Sequence, residues 1–150
     1  MKKIDPKAVA VKVGSSYPVP LDEPCRGRRR CALGDAAGLT QFGVNVLTLP
    51  PGVWSSQRHS HSAEDEFLWV LDGEVVLVTD TGEEVLRAGD CAGFKAGVAD
   101  GHHLQNRSLQ RAHVLEVGSR RPERDVCEYP DVDLRWVGNA PPTRKDGSRY

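Results

Sequence analysis

What the sequence lacks sets the first limits on what it can be. No stretch approaches the ~20 consecutive apolar residues that a membrane-spanning helix needs, so no membrane segment is expected. No charge of one sign dominates, because 20 lysines and arginines face 21 acids for a formal net charge of -1. Without a broad positive field the chain has no general hold on nucleic acid or anionic lipid. The expected partners are a small-molecule substrate or ligand and a second copy of the chain. Cysteines occur at 25, 31, 91 and 127 with no Cys-x-x-Cys pair, which argues against a structural zinc site of thiolates. The start, Met1-Lys2-Lys3-Ile4-Asp5-Pro6, is positive but has no apolar run behind it, unlike a secretory leader. The cytoplasm is therefore the expected address, with the cysteines reduced. Neither an internal repeat nor an amphipathic helix of three turns is visible.

What is present is a chain of 150 residues, 39% apolar and 27% charged, long enough for one domain with a real core. Fifteen glycines and ten prolines punctuate short apolar runs, the pattern of an all-β domain. Phe42 to Leu49 alternates as a strand, and Trp54 to His61 reads as a second extended piece. Glu66 to Leu71 is stopped by Asp72-Gly73, a type I′ hairpin signal. Val75 to Val78 returns, Thr81-Gly82 and Gly89-Asp90 turn, and His102 to Asn106 and Ala112 to Val117 close the series. Frequent turns predict an antiparallel barrel or jelly roll. Residues 1–41 read as an N-terminal arm with a strand or two, 42–137 as the barrel, and 138–150 as a loose polar tail. Phe67-Leu68-Trp69-Val70-Leu71 does not alternate, so both of its faces need cover. A second copy would supply it, which predicts a homodimer; the alternative is that residues 1–41 or the C-terminal segment wrap that face.

The chemistry concentrates in His59-Ser60-His61 followed by Glu66. Residues two apart on a strand share a face, so His59 and His61 can aim both imidazoles at one point. Glu66 shares its face with Leu68 and Val70, and an inward carboxylate among aliphatics is costly unless it meets a cation. Two histidines and a carboxylate would hold a metal with positions left open for substrate.

These residues sit inside two longer patterns, Gly52-x6-His59-x-His61-x4-Glu66-x6-Gly73 and Gly89-x5-Lys95-Ala96-Gly97-x4-His102-x3-Asn106. Together they resemble the two motifs of the cupin superfamily. The resemblance implies a double-stranded β-helix, or jelly roll, and one divalent ion (Zn, Fe, Mn, Ni or Cu) on His59, His61, Glu66 and His102. Lys95 stands where the family has proline, and two extra residues precede the second-motif histidine. That insertion leaves a choice between His102 and His103, which the spacing to Asn106 tilts to His102. From Gly38 to Gly118 the chain also resembles small bacterial cupins named as sugar-phosphate or mannose-6-phosphate isomerase-like, through elements such as EDEFLWVLDGE, GDCAGF and DGHHLQNRS.

The resemblance implies a metal-dependent enzyme on a small oxygen-rich substrate, with isomerisation as the nearest label. The alternatives are an Fe(II)-dependent dioxygenase and a non-catalytic small-molecule-binding cupin. Gln41, Asn45 and Gln57 are candidate substrate contacts, and Glu64, Asp65 and His113 are candidate bases. His113 reads better as a core or rim residue than as a ligand, Arg58 as half of a surface or dimer salt bridge, and Trp54 and Trp69 as core or interface. The run Arg26-Gly27-Arg28-Arg29-Arg30 reads first as a solvated loop; folded over the barrel mouth, it would grip a phosphate or carboxylate.

Overall fold

Short apolar runs between turns become twelve strands in the computed structural model, which describes residues 3–150. Met1 and Lys2, the first residues of the N-terminal arm, lie outside the described residues. In chain order the strands are β1 (Val11–Val13), β2 (Arg29–Ala32), β3 (Phe42–Leu49), β4 (Ser60–His61), β5 (Glu66–Asp72), β6 (Glu74–Thr79), β7 (Gly82–Arg87), β8 (Cys91–Phe94), β9 (His103–Gln105), β10 (Ala112–Ser119), β11 (Val126–Glu128) and β12 (Arg135–Val137). One turn of helix, α1 (Leu33–Ala36), follows β2. Among the described residues no helix is long and apolar enough to cross a membrane.

The strands form one six-stranded sheet in the order β1-β2-β3-β10-β5-β8 and two three-stranded sheets, β12-β11-β4 and β7-β6-β9. This is an all-β jelly roll. Alternation along β5 decides which side is inside: Leu68 and Val70 are buried, while Phe67, Trp69 and Leu71 remain 40%, 47% and 48% exposed. Leu47, Leu49, Ala112 and Val114 join them from β3 and β10, and Val75, Leu77, Leu86 and Leu104 close the core from the β7-β6-β9 side. Each such aliphatic side chain removed from water contributes about 1.5–3 kcal/mol, so this layer holds the two sheets together. A second cluster of Cys127, Tyr129 and Leu134 packs with Tyr17 and Trp136. The four cysteines are free.

Asp72-Gly73 is not a hairpin. β5 pairs with β10 and β8, whereas β6 pairs with β7 and β9, so the chain crosses from one sheet to the other at this point. The glycine serves close approach instead: it has φ +80°, and a Cβ there would lie 2.7 Å from the Arg111 carbonyl and 2.9 Å from the Ala112 Cα. A dipeptide signal is local, but strand partners are chosen by which faces must be buried.

The arm extends the large sheet rather than wrapping it, with β1 paired in register onto β2 and β2 onto β3. The segment 138–150 is not loose: Thr143 bridges both Arg135 and Arg149, and the Tyr150 hydroxyl donates to the Asp133 carbonyl. Among the described residues neither terminal segment covers Phe67, Trp69 and Leu71.

Gly73→Ala combines positive φ with a steric clash and is expected to cost about 3 kcal/mol of unfolding free energy. Gly52→Ala, at φ +79° with open space around it, should cost about 1 kcal/mol. Urea unfolding of the two variants measures the difference, and equal costs would refute the close-approach role.

Candidate metal centre

Four side chains converge because three short segments are tied together by their backbones. The His59 and His102 segments pair directly, His59 N–H donating to the His102 carbonyl at 3.1 Å and His102 N–H to the His59 carbonyl at 2.8 Å. His61 follows on the same face of β4, with its ring 5.1 Å from that of His59. Glu66 opens β5 and brings Oε2 to 2.9 Å from His102 Nε2, 3.6 Å from His59 Nε2 and 3.7 Å from His61 Nε2. Phe94, opposite Glu66 in register, stacks flat on the His102 ring at 3.5 Å.

His103 points elsewhere. Its Nδ1 lies 3.0 Å from the Ser56 carbonyl, and its ring packs edge-on to Trp54 at 4.7 Å. The two extra residues of the second motif thus still deliver His102 to Glu66, because adjacent residues on an extended chain face opposite ways. Asn106, the last residue of that motif, is wholly buried away from the imidazoles. Its amide donates to the Leu49 and Gln110 carbonyls at 2.7 Å each, which makes it a clamp on the loop before β10.

Two of the three imidazoles are oriented from behind, whereas His102 Nδ1 is buried without a partner among the described residues. His59 Nδ1 lies 2.9 Å from the Gln57 carbonyl, and His61 Nδ1 lies 2.6 Å from Asp125 Oδ2. Each contact leaves Nε2 turned to Glu66, the arrangement in which an outer carboxylate or carbonyl fixes a ligating ring. Asp125 is buried and also accepts the Ala63 N–H at 2.9 Å. Its role was not legible in the sequence, since it lies 64 residues from His61.

Donors on one ion with bonds of 2.0–2.2 Å are at most about 4.4 Å apart. His59, Glu66 and His102 form a group whose donor atoms all lie within 4.8 Å of one another. A second group joins His59 and His61 to Cys127, whose Cα is paired with that of His61 across β11 and β4. Protonation at the site is divided: burial acts to lower His61, but hydrogen bonds to Cys127 and Asp125 and the charge of Glu66 raise it to about 10, so that ring must lose a proton before it can bind a metal. Burial drives His59 down to about 4, against the pull of Glu66. Burial acts to raise the Glu66 carboxyl, but the His102 hydrogen bond and the surrounding imidazoles outweigh it and hold it at about 2. Two donors are therefore in the deprotonated form that a metal requires. His59, Glu66 and His102 fit one divalent ion, while His61, 3.7 Å from Glu66 Oε2, stands beside them and groups with His59 and Cys127 or with Glu64 and Asp125.

A cavity of about 690 Å³ opens in front of these donors. Of the candidate substrate contacts, Asn45 lines it. Gln41 is exposed at the end of the sheet and outside the cavity lining. Gln57 is buried, its amide donating to the Leu21 carbonyl at 2.7 Å, and is likewise not in the lining. Of the candidate bases only Glu64 lines the cavity; Asp65 accepts the Ala96 N–H at 2.8 Å. His113 stands on the outer side of β10, 3.1 Å from the Thr48 hydroxyl.

The inward side of β10 is Ala112, Val114 and Glu116. Glu116 lines the cavity with Oε2 buried and free of any hydrogen-bond partner among the described residues. Burial raises its pKa, against the nearby Arg30. The alternation of Ala112-His113-Val114-Leu115-Glu116 carried this signal, but only knowing which face is core reveals it. The arginine run is not simply a solvated loop, since Arg28 and Arg30 both line the cavity. Arg58 forms an ion pair within the chain, two contacts of 2.7 Å to Asp131.

An antiparallel jelly roll with inward histidines and a carboxylate on adjoining strands defines a class of metal-binding barrels. A family model for the cupin domain matches residues 45–118, and the chain belongs to the cupin superfamily. A crystal structure from Silicibacter pomeroyi, described as a sugar phosphate isomerase from a cupin superfamily, is 44% identical with a TM-score of 0.91, over 99% of this chain and 96% of that one. A second, from Acidithiobacillus ferrooxidans and named provisionally as a sugar phosphate isomerase, is 28% identical with a TM-score of 0.72, over 83% and 80%. The polyketide cyclase RemF of Streptomyces resistomycificus shares the fold alone, at 20% identity and a TM-score of 0.63 over 79% of each chain. No curated protein sequence matches the chain.

Elemental analysis of the purified chain is expected to give about one divalent ion per molecule, lost in the His59→Ala, His102→Ala double variant. Asp125→Asn should weaken metal affinity about 10- to 100-fold, the usual effect of an outer partner. Full metal content in the double variant would place the ion elsewhere.

Proposed function

We propose that the chain is a metal-dependent enzyme acting on a small oxygen-rich substrate, with sugar or sugar-phosphate isomerisation as its reaction. The observation that carries this reading is the set of four donors, His59, His61, Glu66 and His102, facing a cavity of about 690 Å³ that also holds an unpartnered carboxyl oxygen on Glu116. A divalent ion on those donors would act as a Lewis acid toward a substrate carbonyl. The chain's own task is then to move a proton between neighbouring carbons. Glu116 suits it, because a carboxyl whose pKa is raised by burial both takes and returns a proton near neutral pH more readily than an exposed one. Asn45, paired with Glu116 across β3 and β10, offers an amide to a substrate hydroxyl. The name of the Silicibacter pomeroyi relative agrees with this assignment.

The test is to load the protein separately with Zn, Fe, Mn, Ni and Cu and follow aldose and ketose phosphates by NMR. Interconversion in at least one metal form, reduced about 100-fold or more by Glu116→Gln, is the expected result. Unchanged sugars in every form would overturn it. Oxygen uptake by the Fe(II) form would point to the dioxygenase alternative, and tight binding without turnover to a binding module.

We propose further that the chain acts as a homodimer. Across the outer face of the large sheet the register lines up Val11, Cys31, Val46, Leu115, Trp69 and Cys91, an apolar row over all six strands. Burying such a row against a second copy answers the need for cover that residues 67–71 create. Sedimentation is expected to give twice the 16.4 kDa chain mass, with Trp69→Glu shifting the protein to monomer; a monomeric wild type would rule the dimer out.

A further inference from the structure

The cavity is lined by four lysines and arginines and five acids, and three of the cations, Lys12, Arg28 and Arg30, are gathered on one wall. Alternation along β2 and the residues before it sends Arg28 and Arg30 inward. Arg26 instead pairs with Asp22 at 2.8 Å, and Arg29 is exposed. Lys12 of β1 stands opposite Arg30 in register and also lines the cavity.

Neither Lys12 nor Arg28 has an ion-pair partner among the described residues, and Arg30 has a long one, Glu116. Arg28 is only 9% exposed, yet its guanidinium is held by neutral groups. Nε donates to the Gly14 carbonyl at 3.0 Å and Nη1 to the Ser55 carbonyl, while Nη2 donates to no protein acceptor. Lys12 Nζ donates to the Ser16 hydroxyl at 2.8 Å. Arg30 Nε faces Glu116 Oε2 at 3.7 Å, too far for a hydrogen bond, and both atoms are buried without a partner. The other charges of the cavity are engaged: Arg120 with Asp35, Asp125 with His61, Glu64 with the Arg121 N–H, and Glu66 with the imidazoles. On this wall the three cations have one acid at ion-pair distance, Glu116 beside Arg30.

A buried guanidinium without a countercharge is costly, and an anion entering the cavity removes that cost. Guanidinium forks match the oxygens of phosphate and carboxylate in pairs. The β2 and β5 strands are separated by β3 and β10, and the row of Arg30 meets β5 at Val70, four residues along from Glu66, which places about 19 Å of sheet between the backbones of Arg30 and Glu66. Side chains reaching inward from both ends leave a gap that a molecule of a few carbons can span.

We propose that Lys12, Arg28 and Arg30 form an oxyanion subsite that holds a phosphate or carboxylate group of the substrate, while the other end of the molecule reaches His59, His61, Glu66 and His102. This rests on the reading of the cavity as the substrate site and deepens it, since it makes the substrate class anionic.

The test uses the full chain, with and without chelator, and the His59→Ala, His102→Ala double variant, so that anion binding is separated from metal binding. Inorganic phosphate and malonate are titrated in separate arms by calorimetry, with sodium chloride matched for ionic strength. Saturable binding of at least one of the two is expected in all three preparations, and the arm that binds names the group. Arg30→Gln and Lys12→Gln should each weaken it about tenfold or more, with Arg30→Lys retaining part of it. Arg28→Gln should abolish it; should that variant fail to fold by circular dichroism, the half-buried Arg30 and exposed Lys12 decide. No saturable binding of either anion, binding that follows ionic strength alone, or unchanged affinity in the Arg30 and Lys12 variants would overturn the subsite. Turnover of neutral sugars without anion binding would remove the subsite and leave the isomerase reading standing. Anion binding without any turnover would do the reverse.

Discussion

The structure depends on one electrostatic constraint: Glu66 is a half-buried carboxylate surrounded by three imidazoles. Charge buried in this way is tolerated only with positive charge or strong donors around it. The 2.9 Å contact to His102 and the approaches of His59 and His61 supply part of that. A divalent cation would complete it, because a carboxylate and neutral imidazoles are its natural donors. The surrounding elements act as a mounting for this cluster.

That mounting is mostly backbone. The reciprocal hydrogen bonds between His59 and His102 set two rings side by side without asking anything of their side chains. Glu66 starts a strand whose next inward residues, Leu68 and Val70, are buried in the core, so its direction is locked by packing. Asp125 and the Gln57 carbonyl then decide which ring nitrogens face the carboxylate. A site built on paired strands and second partners is held more tightly than one built on free loops.

The jelly roll also brings two sets of polar side chains into one cavity. Inward positions on β3, β5 and β10 supply Asn45, Glu66 and Glu116, while the arm adds Lys12, Arg28 and Arg30 at the sheet's far edge. A barrel of this kind is shared by proteins of different activity, including a polyketide cyclase. What distinguishes this chain is therefore the identity of those inward residues rather than the scaffold.

Much of this was legible in the residues alone. Turn spacing and strand alternation determined an all-β chain, and His-x-His with an inward glutamate pointed to the side chains that cluster at the candidate metal centre, because period-two geometry is a local property of extended backbone. Other features were decided only by tertiary structure. Asp72-Gly73 looked like a hairpin until burial assigned β5 and β6 to different sheets. Gln57 looked like a substrate contact until its amide met the Leu21 carbonyl. Glu116, Asp125, Arg28 and Arg30 acquire meaning only when strands far apart in sequence close around one space. The reason is common to all of them: local sequence sets the direction in which a side chain points relative to its own strand, but packing alone chooses which side of that strand becomes the inside.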